Sequence, residues 1–143
     1  MIHNSKLIIY TDGGARGNPG PAAIGVVLLH EQGRTATYKE YIGETTNNVA
    51  EYKAVIFALK KAKQILGKEM AKKTELEIRV DSELLYKQTR GEYKIMEEHL
   101  QPLFIEIWNL KQDFADVNFF HIPREQNKEA DKLVNEALGE RLI

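Results

Sequence analysis

Cysteine is absent from the 143 residues, which excludes a disulfide framework, a thiol nucleophile and any Cys-ligated zinc or iron–sulfur centre. Long apolar runs are missing too. Near the start the longest is Leu7–Tyr10, too short for a signal-peptide core or a membrane span, so a cytoplasmic protein without membrane association is expected. No internal repeat or low-complexity tract is found, and the one Gly/Pro-dense stretch, Gly13–Pro21, lies too near the N-terminus to be a linker. Residues 1–143 are therefore expected to form a single domain, long enough to close a hydrophobic core. Nor is there an excess of one charge: 20 Lys plus Arg face 21 Asp plus Glu. Taken alone, that balance argues against a strongly basic nucleic-acid coat protein.

What the chain does have is periodicity. Lys6–Asp12 (KLIIYTD) is β-rich and meets Gly13-Gly14, which reads as a strand running into a loop. Ala23–His30 and Arg34–Ile42, separated by a Gln32-Gly33 turn, complete an expected antiparallel meander. From Asn48 to Leu66 the period becomes helical, and Lys68–Lys73 reads as a charged connection. Glu75–Val80 alternates with Leu76, Ile78 and Val80 on one face, so it reads as a fourth strand. Ser82–Thr89 is a short helix, and Leu100, Leu103, Phe104, Ile107 and Trp108 mark another to about Lys111, with Trp108 expected in the core. Val117–Ile122 is a fifth strand and Gln126–Leu138 a final helix. The expected class is α/β, a five-stranded mixed sheet whose first three strands are antiparallel, with helices packed on it.

Four carboxylates fall at telling places. Asp12 and Asp81 are each the first polar residue after an apolar strand, where Asp also commonly starts a turn or caps a helix. Glu51 shares a helix face with Val55, Ala58, Ala62 and Ile65, so it points toward the core and needs a cation or an ion-pair partner. Asp131 shares a face with Val134, Ala137 and Leu138. If the four converge, divalent cations with oxygen ligands would relieve their repulsion, and two Mg²⁺ ions could serve a scissile phosphate.

Tyr10–Ala22 (YTDGGARGNPGPA), Thr45–Tyr52 (TTNNVAEY), Val80–Leu84 (VDSEL) and Gln126–Leu133 (QNKEADKL) together resemble the type 1 ribonuclease H family, in the family's order and over essentially the whole chain. The resemblance implies a ribonuclease H-like fold. It implies Asp12, Glu51, Asp81 and Asp131 as catalytic and metal-binding residues for two Mg²⁺ ions, with Mn²⁺ as a substitute. The implied reaction is endonucleolytic hydrolysis of the RNA strand of an RNA/DNA hybrid, leaving 5′-phosphate and 3′-hydroxyl ends, by a monomeric enzyme. Gly13, Gly14, Asn18, Thr46, Asn47, Asn48, Ser82 and Glu83 fall at substrate-contacting positions. The two glycines are expected to let backbone approach the RNA minor groove, and Thr46 to meet a DNA-strand phosphate. Asn47-Asn48 could equally cap the long helix.

The chain departs from many relatives in two places, and so resembles the bacterial and archaeal forms with neither feature. Only a few residues join the last strand to the last helix, so a long loop carrying a His is missing. Arg124 and Glu125 are the expected substitutes, while His121 reads as a structural strand residue. Gly91–His99 (GEYKIMEEH) contains no Trp, so the basic, tryptophan-rich insertion that grips DNA is also missing. Glu83 stands where the family often carries an uncharged side chain. Rival readings are an enzyme that also cuts double-stranded RNA, a catalytically silent hybrid-binding module, and a structural Ca²⁺ site. Setting aside the four acids leaves 17 acidic against 20 basic residues, a mildly basic surface.

Overall fold

The alternation of apolar residues in the extended segments is the feature that builds the sheet. The computed structural model describes residues 5–31, 33 and 35–141. Its elements are β1 (Ser5–Ala15), β2 (Gly20–His30), β3 (Thr35–Thr45), α1 (Asn47–Ala71), β4 (Thr74–Val80), α2 (Glu83–Thr89), α3 (Gln101–Lys111), β5 (Asp116–His121) and α4 (Lys128–Arg141), with a 3₁₀ turn at Arg124–Gln126. They form one five-stranded sheet in the order β3-β2-β1-β4-β5. β1 runs antiparallel to β2 and parallel to β4, and β3 and β5 form the edges. This is the mixed sheet, antiparallel over its first three strands, that the periodicity implies.

One face of the sheet presents Leu7, Ile9, Val26, Leu28, Leu76, Ile78 and Val80 to Tyr52, Val55, Leu59 and Ala62 of α1, with Leu85, Leu100 and Ile107 closing the same core. On the other face Ala23 packs with Val134, Ala137 and Leu138 of α4. Gly25 admits that helix: a Cβ there would lie 2.3 Å from the Ala130 carbonyl oxygen. No helix among the described residues is long and apolar enough to cross a membrane.

Several boundaries differ from expectation. β1 does not stop at Gly13-Gly14 but runs on to Ala15, because its antiparallel partner continues as far as Ala22 opposite Ala15. α1 begins one residue early, and its cap is Thr46, whose Oγ1 accepts the Val49 N–H at 3.2 Å; neither Asn47 nor Asn48 is the cap. The helix also passes through the expected Lys68–Lys73 connection to Ala71, with a break at Gly67 (φ 80°) that a residue with a Cβ would resist. Ile65 and Trp108 sit at helical spacing yet are 42% and 55% exposed, since each lies at the margin of its helix's apolar stripe. The last helix begins at Lys128 rather than Gln126, the preceding residues forming the 3₁₀ turn. Gln32 and Arg34, parts of the expected second turn and third strand, lie outside the described residues.

Candidate active site

β1 and β4 are parallel neighbours with Tyr10 paired to Arg79. Two residues further along each chain are Asp12 and Asp81, where β4 has ended and β1 continues. Asp12 is thus inside its strand and 7% exposed, not at a strand end as the apolar pattern suggests. Asp81 is the first residue after β4.

Glu51 arrives from α1. Gly13 lets that helix press on the strand, because a Cβ at residue 13 would lie 2.3 Å from the Ala50 carbonyl carbon and oxygen. The glycine therefore serves packing inside the protein, rather than only an approach of backbone to a ligand. Gly14 differs, its notional Cβ meeting only Val134 Cγ1 at 3.6 Å. In this close contact the Gly13 N–H donates to Glu51 Oε1 at 3.0 Å. Glu51 Oε2 is buried and accepts no hydrogen bond.

One carboxylate oxygen from each of Asp12, Glu51 and Asp81 lies within 4.8 Å of the others. Asp131, from the first turn of α4, is not a member of this group of three but lines the same cleft of about 370 Å³. Burial raises the Asp12 carboxyl to about 7, with the charges of Asp81 and Asp131 adding to the effect. Glu51 is raised well above the ordinary range, first by burial and then by the charge of Asp12. Buried acids repelling one another, with an unpartnered oxygen among them, make a site that favours either protons or a hard cation. The all-oxygen donor set fits divalent metal ions such as Mg²⁺.

Of the other residues singled out in the sequence, Gly13, Gly14, Asn47, Asn48, Ser82 and Arg124 line this cleft, whereas Asn18, Thr46, Glu83 and Glu125 do not. Asn18 works from behind: its Oδ1 accepts the Asn47 N–H at 3.0 Å, while Asn47 Oδ1 accepts the Ala15 N–H at 2.8 Å. These bonds latch the β1–β2 turn to the start of α1. Ser82 caps α2 by accepting the Leu85 N–H. Glu83 turns outward and lies 4.0 Å from Lys87, and Glu125 is exposed in the 3₁₀ turn. His121 lies on β5 as expected, although the strand ends there rather than at Ile122; it is exposed, its Nε2 3.3 Å from the Asp81 carbonyl oxygen and its ring stacked on Tyr86.

Two neighbours were not anticipated. Arg16 lines the cleft. Asn127, 1% exposed, donates from Nδ2 to Asp81 Oδ2 at 2.9 Å and to the Thr11 carbonyl at 2.8 Å. The expected helix start at Gln126 put Asn127 inside the helix, which hides a role of this kind; an Asn ahead of the observed start at Lys128 would have been a cap signal. A larger cleft, about 500 Å³, lies between β3, α1 and α3 and mixes Glu40 and Glu106 with Lys53 and Lys60. Among the described residues no carboxylate cluster converges there, so chemistry rather than size identifies the site.

Residues 10–137 match the family model described as reverse transcriptase-like. The ribonuclease HI of Halobacterium salinarum is 40% identical over 94% of this chain, and the bifunctional protein Rv2228c of Mycobacterium tuberculosis 37% over 93%. The chain spans 65% of the first of these proteins and 35% of the second. Among solved structures, LC11-RNase H1 in complex with RNA/DNA hybrid superposes with a TM-score of 0.90 at 50% identity, over 96% of this chain and 99% of that one. The halobacterial RNase H1 gives 0.85 at 39%, over 94% and 98%. With the fold, the strand order and the sequence agreeing over nearly its whole length, the chain belongs to the type 1 ribonuclease H family.

Proposed function

We propose that this chain is a metal-dependent endonuclease that hydrolyses the RNA strand of RNA/DNA hybrids, releasing 5′-phosphate and 3′-hydroxyl ends. The observation that carries the reading is the convergence of Asp12, Glu51 and Asp81 within 4.8 Å at the floor of an open polar cleft. The likeness to LC11-RNase H1, a protein crystallised with such a hybrid, supports the substrate class. Two Mg²⁺ ions, with Mn²⁺ as a substitute, are the proposed cofactors; Asp12, Glu51, Asp81 and Asp131 would hold them, and when bound they supply Lewis-acid stabilisation of the scissile phosphate and activation of water.

The chain's own residues position the substrate. The Asn47 and Asn48 amides at the mouth of the cleft offer donors and acceptors to sugar hydroxyls and base edges. Thr46 and Asn18 hold that helix start in place. Gly14 leaves the floor beside Asp12 open, and Ser82 faces the same space. Arg124, on the short connection that replaces a long loop, brings a guanidinium to the phosphate and assists product release. Glu125, exposed and outside the cleft, takes no part in this chemistry, and Glu83, exposed beside Lys87, acts only by its charge at the rim. The domain works as a single unit, as a monomer and in the cytoplasm.

Cleavage of labelled RNA/DNA hybrid, double-stranded RNA and DNA duplex, each with Mg²⁺, Mn²⁺ or chelator, tests the proposal. Metal-dependent cutting of the hybrid's RNA strand is expected. Equal cutting of double-stranded RNA would establish a relaxed enzyme, and binding without any cutting a silent module. Asp12→Asn should abolish cleavage while leaving hybrid binding in chelator intact.

A further inference from the structure

The flank formed by α2, α3 and the β5 edge is not used in the reaction described above. It holds a second cleft, of about 370 Å³, lined among others by Arg90, Lys111, Asn118 and Phe120 and by no carboxylate. Two large rings stand open to solvent there or beside it: Phe120 is 45% and Trp108 55% exposed. The Lys111 ammonium sits 5.6 Å from the Trp108 ring centre, and among the described residues Lys111 forms no ion pair. Arg90 lies 5.0 Å from the Tyr86 ring centre and donates to the Tyr86 hydroxyl; its one ion pair among the described residues is with Glu92, at 3.5 Å, a half-exposed pair of a kind that contributes little in water and exchanges readily.

A chain of side-chain contacts leads from this cleft toward the carboxylates. His121, next along β5 from Phe120, lies 3.3 Å from the Asp81 carbonyl oxygen. Its ring stacks on Tyr86 at 5.6 Å, and Tyr86 in turn carries Arg90. From the catalytic floor outward stand the rings of His121 and Tyr86, then Arg90, with Lys111 and Trp108 on the same flank.

Cations set beside open aromatic faces, with no acid lining the cleft between them, suit a polyanion that offers flat apolar surfaces. A duplex cannot supply those surfaces, because its bases are already stacked on one another; an unpaired strand can. We propose that this flank binds a single-stranded nucleic-acid segment continuing from a duplex held at the carboxylates, its bases on Phe120 and Trp108 and its phosphates on Arg90 and Lys111. The identity of the duplex rests on the function proposed above; the single-strand surface does not.

Trp108 is the only tryptophan, so its fluorescence reports on the site itself. Titration of the intact protein in chelator with a single-stranded oligothymidylate should quench it. Log affinity against log salt should have a slope of about −1.4, from two phosphate contacts. A hybrid with a single-stranded extension should bind about tenfold more tightly than the same hybrid with blunt ends, the effect of a stacked base. The double variant Arg90→Glu/Lys111→Glu should lose this advantage yet cut blunt hybrid at the wild-type rate. Unquenched Trp108 together with equal affinity for blunt and extended hybrids in the wild-type protein would overturn the inference without any variant needing to fold. Quenching by an acidic peptide but not by the oligonucleotide would likewise overturn it, in favour of a protein partner. Failure to cut blunt hybrid with any metal sinks the proposed function instead, and leaves the fluorescence result standing on its own.

Discussion

Asn127 donates one amide hydrogen to the Asp81 carboxylate, at 2.9 Å, and the other to the Thr11 carbonyl, at 2.8 Å. The residue just before α4 is thereby tied to β1 and to the end of β4, and Asp81 is held toward Asp12 and Glu51. Asn127→Ala removes both donors and leaves the Thr11 carbonyl buried without its partner, at a cost of about 1–3 kcal/mol. The melting temperature should fall by about 3–10 °C, and more Mg²⁺ should be needed for half-maximal cleavage. Asn127→Asp, nearly the same shape, should cut more slowly still, because it sets a further acid against Asp81. Melting curves and Mg²⁺ titrations decide; two variants indistinguishable from wild type would remove Asn127 from the site.

The five strands, the mixed sheet and the inward place of Glu51 were legible because they depend on periodicity. Leu76, Ile78 and Val80 alternate, and Glu51 interrupts an otherwise apolar helix face. What periodicity cannot express is contact between distant segments. Gly13 looked like a strand terminator, since glycine usually is one, and only the 2.3 Å approach to Ala50 reveals it as the place where α1 meets β1. Trp108 was expected in the core on spacing alone, but its place on α3 leaves it 55% exposed. Asn127 was hidden because the periodicity placed it inside the last helix, which begins only at Lys128.

The latch between Asn18, Asn47 and Ala15 uses only the acceptor oxygens of the two side chains. Asn47→Asp keeps such an oxygen and removes the amide donors that face the cleft. The melting temperature in Mg²⁺ should therefore stay within about 3 °C of wild type, a surface-like change of under about 1 kcal/mol. KM for hybrid should rise about tenfold, the loss of one good hydrogen bond. A lowered melting temperature with unchanged KM would make Asn47 a structural residue alone.

Adjacent glycines should behave oppositely. Gly13→Ala puts a methyl group 2.3 Å from backbone atoms of Ala50, which cannot move without lifting α1 from the sheet. Overpacking of this kind costs about 3 kcal/mol, or about 10 °C in melting temperature, and moves Glu51 with the helix, so cleavage should be lost as well. Gly14→Ala meets only Val134 at an ordinary 3.6 Å and should fold as wild type. Thermal melts of the pair check this; equal melting temperatures would contradict the packing role of Gly13.

The acids at the site also set how stability responds to pH. Asp12 titrates at about 7 in the folded chain against 3.8 as a free side chain, mainly through burial, and Glu51 is raised as well. Across the interval between those two values the folded state binds more protons than the unfolded one, so in chelator stability must fall as pH rises. For Asp12 alone the span corresponds to about 4 kcal/mol as an upper bound, present below pH 4 and lost on passing 7. The metal-free protein should therefore melt higher at pH 5.5 than at pH 8.5. Divalent ions act in the opposite sense, binding the deprotonated acids of the folded state. Added Mg²⁺ should thus raise the melting temperature at pH 8.5 and do little at pH 5.5, and Asp12→Asn should flatten both responses. A metal-free protein that melts higher at pH 8.5 would mean that the folded carboxylates are already compensated by the protein's own cations, and the case for a metal at Asp12, Glu51 and Asp81 would lose its electrostatic basis.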